Sequence, residues 1–378
     1  MTEFGIGTYI RNVVRSLAQL DQESDYFLIG PPEKVAEYGP LPPNFQTVPL
    51  AAPDNTLKGS LEFRGIVRRL ECDVAHIPHL FWLPRGLSCP YVVTVHDLLE
   101  HMYGAHGASN MRRRLHFYLT HRVLRGAARV IAVSQFTKNE VRKLFAIPDG
   151  RVEVVYNAID ERFLHGHATD ADRELIAERY QVNHPFILYA GAIRPHKNVV
   201  RIIEAFSALK TELAKGQQYH DLKLIIIGDD VVGHPRLRRT VVRSGVQHDV
   251  RFLGFVPIEV LRIFYDVAKI FVFPSLYEGF GLPPLEAMAH GTPVVTSNTS
   301  SLPEVVGNAA LMVNPENVFE IRRGLQQALL DTEVRAGMKE RGYAQAQRFS
   351  WNSSVARILN IYREVASSGG AAGGVAAD

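Results

Sequence analysis

The sequence has little cysteine: Cys72 and Cys89 are the only two in 378 residues. They are too few for a disulfide framework and lack the paired spacing of a zinc site, so a reducing compartment, by default the cytosol, is expected. Long apolar runs are missing too. None approaches the roughly eighteen residues of a membrane span, and the opening MTEFGIGTYIRN has no apolar signal-peptide core. Net charge is nearly absent, since 42 Lys and Arg face 39 Asp and Glu for a balance of +3. Without a chain-wide basic field, nucleic acid is not an expected partner. Neither a GxxxxGKS or GxxxxGKT phosphate loop nor an HExxH zinc motif occurs.

What is present is ample apolar material, 46% of residues, over a length that predicts two domains. Short β-branched runs alternate with longer helical patterns, the rhythm of parallel sheets covered by helices on both faces, so the fold class is α/β. Strands are expected at Tyr26–Ile29, Tyr91–Val95, Val130–Val133 and Val152–Val155, then at Phe186–Tyr189, Leu222–Ile227, Val250–Leu253, Ile270–Phe273 and Pro293–Thr296. Val199–Thr211 and Leu282–His290 read as helices behind Asn and Gly breakers. The polar stretch DERFLHGHATDADRE places the domain boundary near residue 182. The expected organisation is 1–182, 183–350, a closing helix over 351–366 and a disordered Gly/Ala tail over 367–378. A Gly-rich loop opening a first helix should follow a strand, yet only MTEF precedes GIG, so the first strand of the N-terminal sheet is expected to be missing from this chain.

The most specific segment is IFVFPSLYEGFGLPPLEAMAHGTPVVTSN. A buried strand ends at Phe273, a Gly-broken loop carries Glu278, and a helix begins near Leu282 with Glu286 about one turn inside it. Both carboxylates then stand at the C-terminal edge of the sheet, where open α/β sheets bind ligands. Around Gly279, Phe280 and Gly281 the backbone has room to approach a ligand, and the helix start at Leu282 suits a diphosphate. Glu286 has the acceptor capacity for both hydroxyls of a ribose. For Glu286 alone, the plainer reading is a carboxylate complementing the helix dipole.

Glu278 and Glu286, with seven residues between them inside EGFGLPPLEAMAHGTPVV, resemble the signature of the retaining glycosyltransferase family 4, which has the GT-B fold of two facing Rossmann-like domains. The resemblance extends through GIGTYIRNVV, VVTVHDLLE, VIAVSQFTKNEV, VVYNAID, FILYAGAIRPHKNVVRIIEAF and WNSSVARIL. It implies a nucleotide sugar mostly on the C-terminal domain, an acceptor on the N-terminal one, and a C-terminal helix crossing back to the first domain. It also implies that Lys197, with Arg194 by analogy, neutralises the departing diphosphate. Arg194 is a substitute position, because Ala192 and His196 occupy the places where many members carry the arginine. His96, after strand YVVTV, is implied to face the donor sugar, and Gly5 and Gly7 to form the loop where acceptor and donor phosphate approach the first helix.

Other candidates fare worse. Asp170 and Asp172 spell the DxD of metal-dependent transferases, but their place before a helix fits N-capping better. His76 and His79 have no third ligand in view. Between Arg112 and Lys143 nine basic residues stand against Glu140 alone, a local +8, interleaved with Leu115, Phe117, Leu119 and Val123. This segment suits docking on anionic lipid headgroups, or it is a solvated helix face over a buried apolar stripe.

The expected function is a retaining, metal-independent hexosyltransferase using a GDP- or UDP-sugar donor, mannose first, on a glycan or lipid-linked acceptor in surface polysaccharide synthesis. Base and hexose choice are expected to depend on backbone around Gly228, Phe255 and Val256. Two alternatives stay open: a nucleotide-sugar epimerase of the same architecture, and a sugar-nucleotide-binding chain that no longer turns over.

Overall fold

The computed structural model describes residues 5–35, 38–53, 56–80, 86–103, 110–164, 166–214, 216, 218–229 and 231–372. By internal contacts the chain divides into two compact units, one comprising Met1–Ala158 with Ser350–Asp378 and the other Ile159–Phe349. The division falls before the expected boundary near 182. The Glu161–Phe163 turn and the Asp170–Arg179 helix pack on the Ile258–Val267 helix, so the polar stretch is the start of the second unit.

In the first unit β1 (Tyr26–Gly30) pairs in parallel with β2 (Phe45–Pro49), while β3 (Ala75–Ile77), β4 (Tyr91–Val95), β5 (Arg129–Ala132) and β6 (Val152–Val154) form a separate four-stranded parallel sheet in that order. No described strand joins the two ladders. Val92, Val93 and Val95 are fully buried, and the helices Leu57–Leu70 and Gln135–Phe145 lay Phe63, Ile66, Val67, Val141 and Phe145 into that core. Ser134 caps the second of these by accepting from the Thr137 N–H at 3.0 Å, closing an orphan donor of the first turn.

The closing helix, Trp351–Ala372, belongs to this unit. Trp351 packs edge-on against Tyr9, Ser354 Oγ donates to the Tyr156 carbonyl at 2.7 Å, and Tyr362 OH meets His76 Nδ1 at 2.5 Å. The helix continues over 367–372, where the tail was expected to be disordered: extending an existing helix needs no new nucleus, although each glycine costs about 1 kcal/mol relative to alanine. Residues 373–378 of that tail lie outside the described residues.

In the second unit β7 (Phe186–Ala190), β8 (Lys223–Ile227), β9 (Val250–Gly254), β10 (Ile270–Phe273), β11 (Val294–Ser297) and β12 (Leu311–Val313) form one parallel sheet in the order β9-β8-β7-β10-β11-β12. Every residue of β7, β10 and β11 is buried, as expected for strands covered on both faces. The strand order reverses between β7 and β10, the doubly wound arrangement whose switch point opens a crevice at the carboxyl ends of those two strands.

Just past β7 and β8 the backbone is crowded. A Cβ on Gly228 would lie 2.1 Å from the Gly191 carbonyl oxygen, and neither backbone has room to retreat. Gly228→Ala is therefore expected to destabilise the second unit by about 2–3 kcal/mol, whereas Gly233→Ala, whose Cβ meets nothing within 4 Å, is expected to be close to neutral. Equal denaturant midpoints for the two variants would refute the close approach.

Candidate active site

The loop after β7 carries Arg194 and Lys197, and the loop after β10 carries Glu278, so the switch point brings these residues to the two sides of one crevice. Lys197 Nζ donates to both oxygens of Glu278, at 2.7 and 2.8 Å, with the two side chains only 17% and 11% exposed. The ammonium also stands 5.2 Å from the centroid of the Phe273 ring. A cation and a carboxylate are thus held partly out of water at the edge of the sheet, where each interaction is stronger than on an open surface.

Asn198 fixes this geometry. It adopts the left-handed conformation at φ 64 between the Pro195–Lys197 turn and the Val199–Leu213 helix. Its Nδ2 donates to the carbonyls of Pro274 at 3.0 Å and Pro315 at 2.7 Å, tying the loops after β7, β10 and β12 together. The Leu276 N–H donates to the His196 carbonyl at 2.7 Å, locking the two crevice loops a second time. Arg194 is held apart from Glu278: its Nη1 donates to Asp229 Oδ2 at 3.0 Å, and the same oxygen accepts from the Ile193 N–H at 3.0 Å.

The Glu278 loop rests on a hydroxyl-rich turn after β11. The Glu278 N–H donates to Ser300 Oγ at 3.2 Å, and Ser301 Oγ donates to the carbonyls of Glu278 at 3.0 Å and Phe280 at 2.7 Å. Within the expected cradle Gly281 needs to be glycine, with φ 107 and a virtual Cβ 2.6 Å from Leu302 Cδ2. Gly279 is not among the residues of positive φ. Phe280 is buried edge-on against Phe349, so only its backbone is placed to meet a ligand. The helix Leu282–Ala289 begins with Pro283 and Pro284, which have no N–H. The expected anion-binding helix start is therefore reduced to the N–H groups of Gly281 and Leu282.

Glu286 lies one turn inside that helix, where Tyr265 OH donates to its Oε2 at 2.9 Å. Burial raises its carboxyl from an ordinary 4.5 to about 7, the Tyr265 hydrogen bond working the other way and the Asp160 charge adding to the rise.

In the first unit, His96 follows β4 and is half-buried, its ring edge-on to Tyr9 at 4.7 Å. Its Nε2 lies 2.8 Å from the Pro78 carbonyl, which only accepts, so the proton sits on Nε2 and the lone pair on Nδ1. Burial lowers its pKa to about 4, keeping the ring neutral. Gly5, at φ 84, caps the Ile6–Leu20 helix, but Gly7 is inside that helix and is not part of a loop. His76 is taken up by Tyr362 and Thr94, and Asp172 by a capping box with Thr169. Asn198, Ser300, Ser301, Tyr265 and Asp229 were not singled out from sequence; for all but Tyr265 the one signal was a polar residue just past a strand or just before a helix, and Tyr265, inside the Ile258–Val267 helix, gave none.

A doubly wound sheet with a lysine–glutamate pair at its switch point and a second carboxylate one turn into the next helix has the groups that an enzyme transferring from a phosphorylated donor needs. The family model described as Glycosyl transferases group 1 matches residues 172–345, and that described as Glycosyltransferase Family 4 matches residues 5–163. The chain is 34% identical over 296 residues to O-antigen chain mannosyltransferase B of Escherichia coli, covering 77% of this chain and 74% of that one. It is 35% identical over 244 residues to the serotype-specific mannosyltransferase WbdA of Escherichia coli, covering 62% of this chain but only 29% of that longer protein. The fold matches Anabaena HepE in complex with UDP and glucose, with a TM-score of 0.72 at 18% identity over 96% of each chain. It also matches WaaG, a glycosyltransferase of lipopolysaccharide biosynthesis, with a TM-score of 0.70 at 16% identity over 94% of this chain and 95% of that one. The chain belongs to the family 4, group 1 glycosyltransferases, a retaining family, which decides for transfer over epimerisation.

The raised pKa of Glu286 makes the site a cost to stability. Its folded value, about 7, lies above the ordinary 4.5, so between those values the folded state binds more protons and stability falls as pH rises. Glu286→Gln is expected to raise the melting temperature clearly at pH 8, where the relief is at most roughly 3 kcal/mol, and little at pH 4.5. The same gain at both pH values would remove the buried-charge explanation.

Proposed function

We propose that this glycosyltransferase moves a hexose, mannose first, from a nucleoside diphosphate sugar to a hydroxyl of a glycan or lipid-linked acceptor in surface-polysaccharide synthesis, on the cytoplasmic side of the membrane. The Lys197–Glu278 pair at the switch point carries this reading; the mannosyltransferase names of the relatives support the choice of sugar. GDP-mannose is the first donor to test, and UDP-sugars follow.

In this reading Lys197, Arg194 and the N–H groups of Gly281 and Leu282 stabilise the negative charge on the leaving diphosphate. Glu278 turns from Lys197 toward the sugar hydroxyls and the positive charge developing at the ring. Glu286, ionised, accepts from the ribose hydroxyls, which replaces part of the hydration its carboxylate lacks. His96 offers its Nδ1 lone pair to a hydroxyl of the donor sugar, and the backbone at Gly5, with Gly7 in the first helical turn, leaves room for phosphate. The bond from C1 to the diphosphate oxygen breaks as the acceptor oxygen bonds C1 on the same face, and a phosphate oxygen takes the acceptor's proton. The leaving-group charge is then met by protein cations, and no divalent metal takes part in this step.

With GDP-mannose and a chelator present, the wild-type chain is expected to turn over donor, Lys197→Ala to lose about 10²–10³ in kcat, and Asp170→Ala to stay near wild type. Equal losses would contradict the assignment of Lys197. Wild-type protein that binds donor without hydrolysing or transferring it would favour the binding-only alternative.

In the same reading the protein also docks on an anionic membrane surface. Among the described residues no helix is long and apolar enough to cross one. The basic stretch 112–143 is not one surface: Lys138 and Arg142 pair with Asp149, and Arg129 with Glu364. In the Asn110–Gly126 helix, however, Met111, Leu115 and Tyr118 share one face at helical spacing, 79%, 49% and 54% exposed, beside the exposed Arg113 and Arg114. Exposed apolar residues flanked by arginine suit the headgroup boundary of an anionic leaflet. Sedimentation with vesicles containing anionic phospholipid at physiological salt is expected for the wild type, and Leu115→Asp with Tyr118→Asp should release it. Indifference to both lipid charge and variant would overturn this docking.

A further inference from the structure

His167, Asp266 and His290 come from three separate segments of the second unit: the stretch before the Asp170–Arg179 helix, the last turn of the Ile258–Val267 helix, and the residue closing the Leu282–Ala289 helix. His167 Nδ1 lies 3.0 Å and His290 Nδ1 3.1 Å from the same atom, Asp266 Oδ1, and one ligand atom from each residue falls within 4.8 Å of the others. The Ala168 N–H donates to Oδ2, which turns Oδ1 toward the two imidazoles. Asp266 and His290 are 5% and 2% exposed as side chains, while His167 is 68% exposed. The site therefore has a fixed floor and one side open to water.

Bonds of about 2.0–2.2 Å to zinc put tetrahedral ligand atoms about 3.3 Å apart, close to the two separations seen here. Two imidazoles and one carboxylate favour a borderline metal over magnesium or calcium. We propose that His167 Nδ1, Asp266 Oδ1 and His290 Nδ1 bind a zinc ion, with water as the fourth ligand on the exposed side. Asp266 directly follows Tyr265, and His290 lies four residues beyond Glu286, so the ion ties together the two helices that carry the Tyr265–Glu286 hydrogen bond. It also fastens the stretch containing His167 to them. Its place is structural, and leaving-group chemistry at Lys197 does not pass through it.

The test is metal titration of the full chain after chelator treatment and dialysis, read by spectrum and melting temperature, with turnover left out. Co²⁺ is expected to bind at one equivalent and to give the intense visible bands of four-coordinate cobalt. Zn²⁺ should displace it and raise the melting temperature. His167→Ala, at an exposed position, should fold, lose those bands and bind Zn²⁺ at least about tenfold more weakly. His184→Ala removes another imidazole–carboxylate pair, His184 with Asp221 at 3.3 Å, and should behave as wild type. Absence of the visible bands in the wild type overturns the proposal and leaves a hydrogen-bonded triad only. Equal titrations of wild type and His167→Ala also overturn it, because the metal is then bound elsewhere.

Discussion

Lys197 and Glu278 stand in different loops, eighty-one residues apart, and their meeting depends on the amide of Asn198. One side-chain nitrogen donates to two carbonyls, Pro274 and Pro315, in the loops after β10 and β12. The topology brings β7 and β10 side by side; Asn198 turns that adjacency into a fixed distance. Its left-handed backbone is part of the device, because at φ 64 the chain leaves the turn and enters the helix at Val199 without a break. Asparagine tolerates that region better than most residues and has both a donor and an acceptor to offer. The acceptor is used as well: Arg201 Nη1 donates to Oδ1 at 2.9 Å.

The centre of the second unit's sheet was legible because β7, β10 and β11 are buried on both faces and so appear as continuous apolar runs; Ile270–Phe273 falls where it was expected. Phe45–Pro49, Ala75–Ile77 and Leu311–Val313 were missed for the opposite reason. They are short or lie at a ladder's edge, and β2 and β12 leave exposed residues in their runs. The boundary near 182 was drawn from composition, whereas the structure assigns the polar stretch by what it packs against, which composition does not record.

The candidate site divides in the same way. Glu278, Glu286 and Lys197 could be named because charged residues just past buried strands and at a helix start are chemically conspicuous. Their supports could not: Tyr265 reads as one more core aromatic, and Ser301 as one more loop serine. Both matter through partners far away in sequence, Glu286 for Tyr265 and the Glu278 and Phe280 carbonyls for Ser301. The prolines at 283 and 284 remove two of the donors on which a diphosphate at that helix start would depend. Likewise the +8 of residues 112–143 is a sum over sequence. Asp149 and Glu364 reach three of its cations in space, leaving the exposed character concentrated at the start of the Asn110–Gly126 helix.

Glu286 joins the site to stability. A carboxyl whose pKa is held near 7 by burial costs folding free energy once ionised, and a single hydrogen bond from Tyr265 offsets only part of that cost. A glutamine of the same shape would sit there more easily. Both side chains present a carbonyl-type acceptor, but only the carboxylate presents two oxygens that accept from neighbouring hydroxyls without offering a competing donor. An under-solvated carboxylate gains most when such hydroxyls arrive, since they supply hydrogen bonds that the protein and water do not. The helices bearing Tyr265 and Glu286 are also those joined by Asp266 and His290 at 3.1 Å. The costly carboxylate therefore lies between two helices that are joined twice, by the Tyr265–Glu286 and the Asp266–His290 hydrogen bonds.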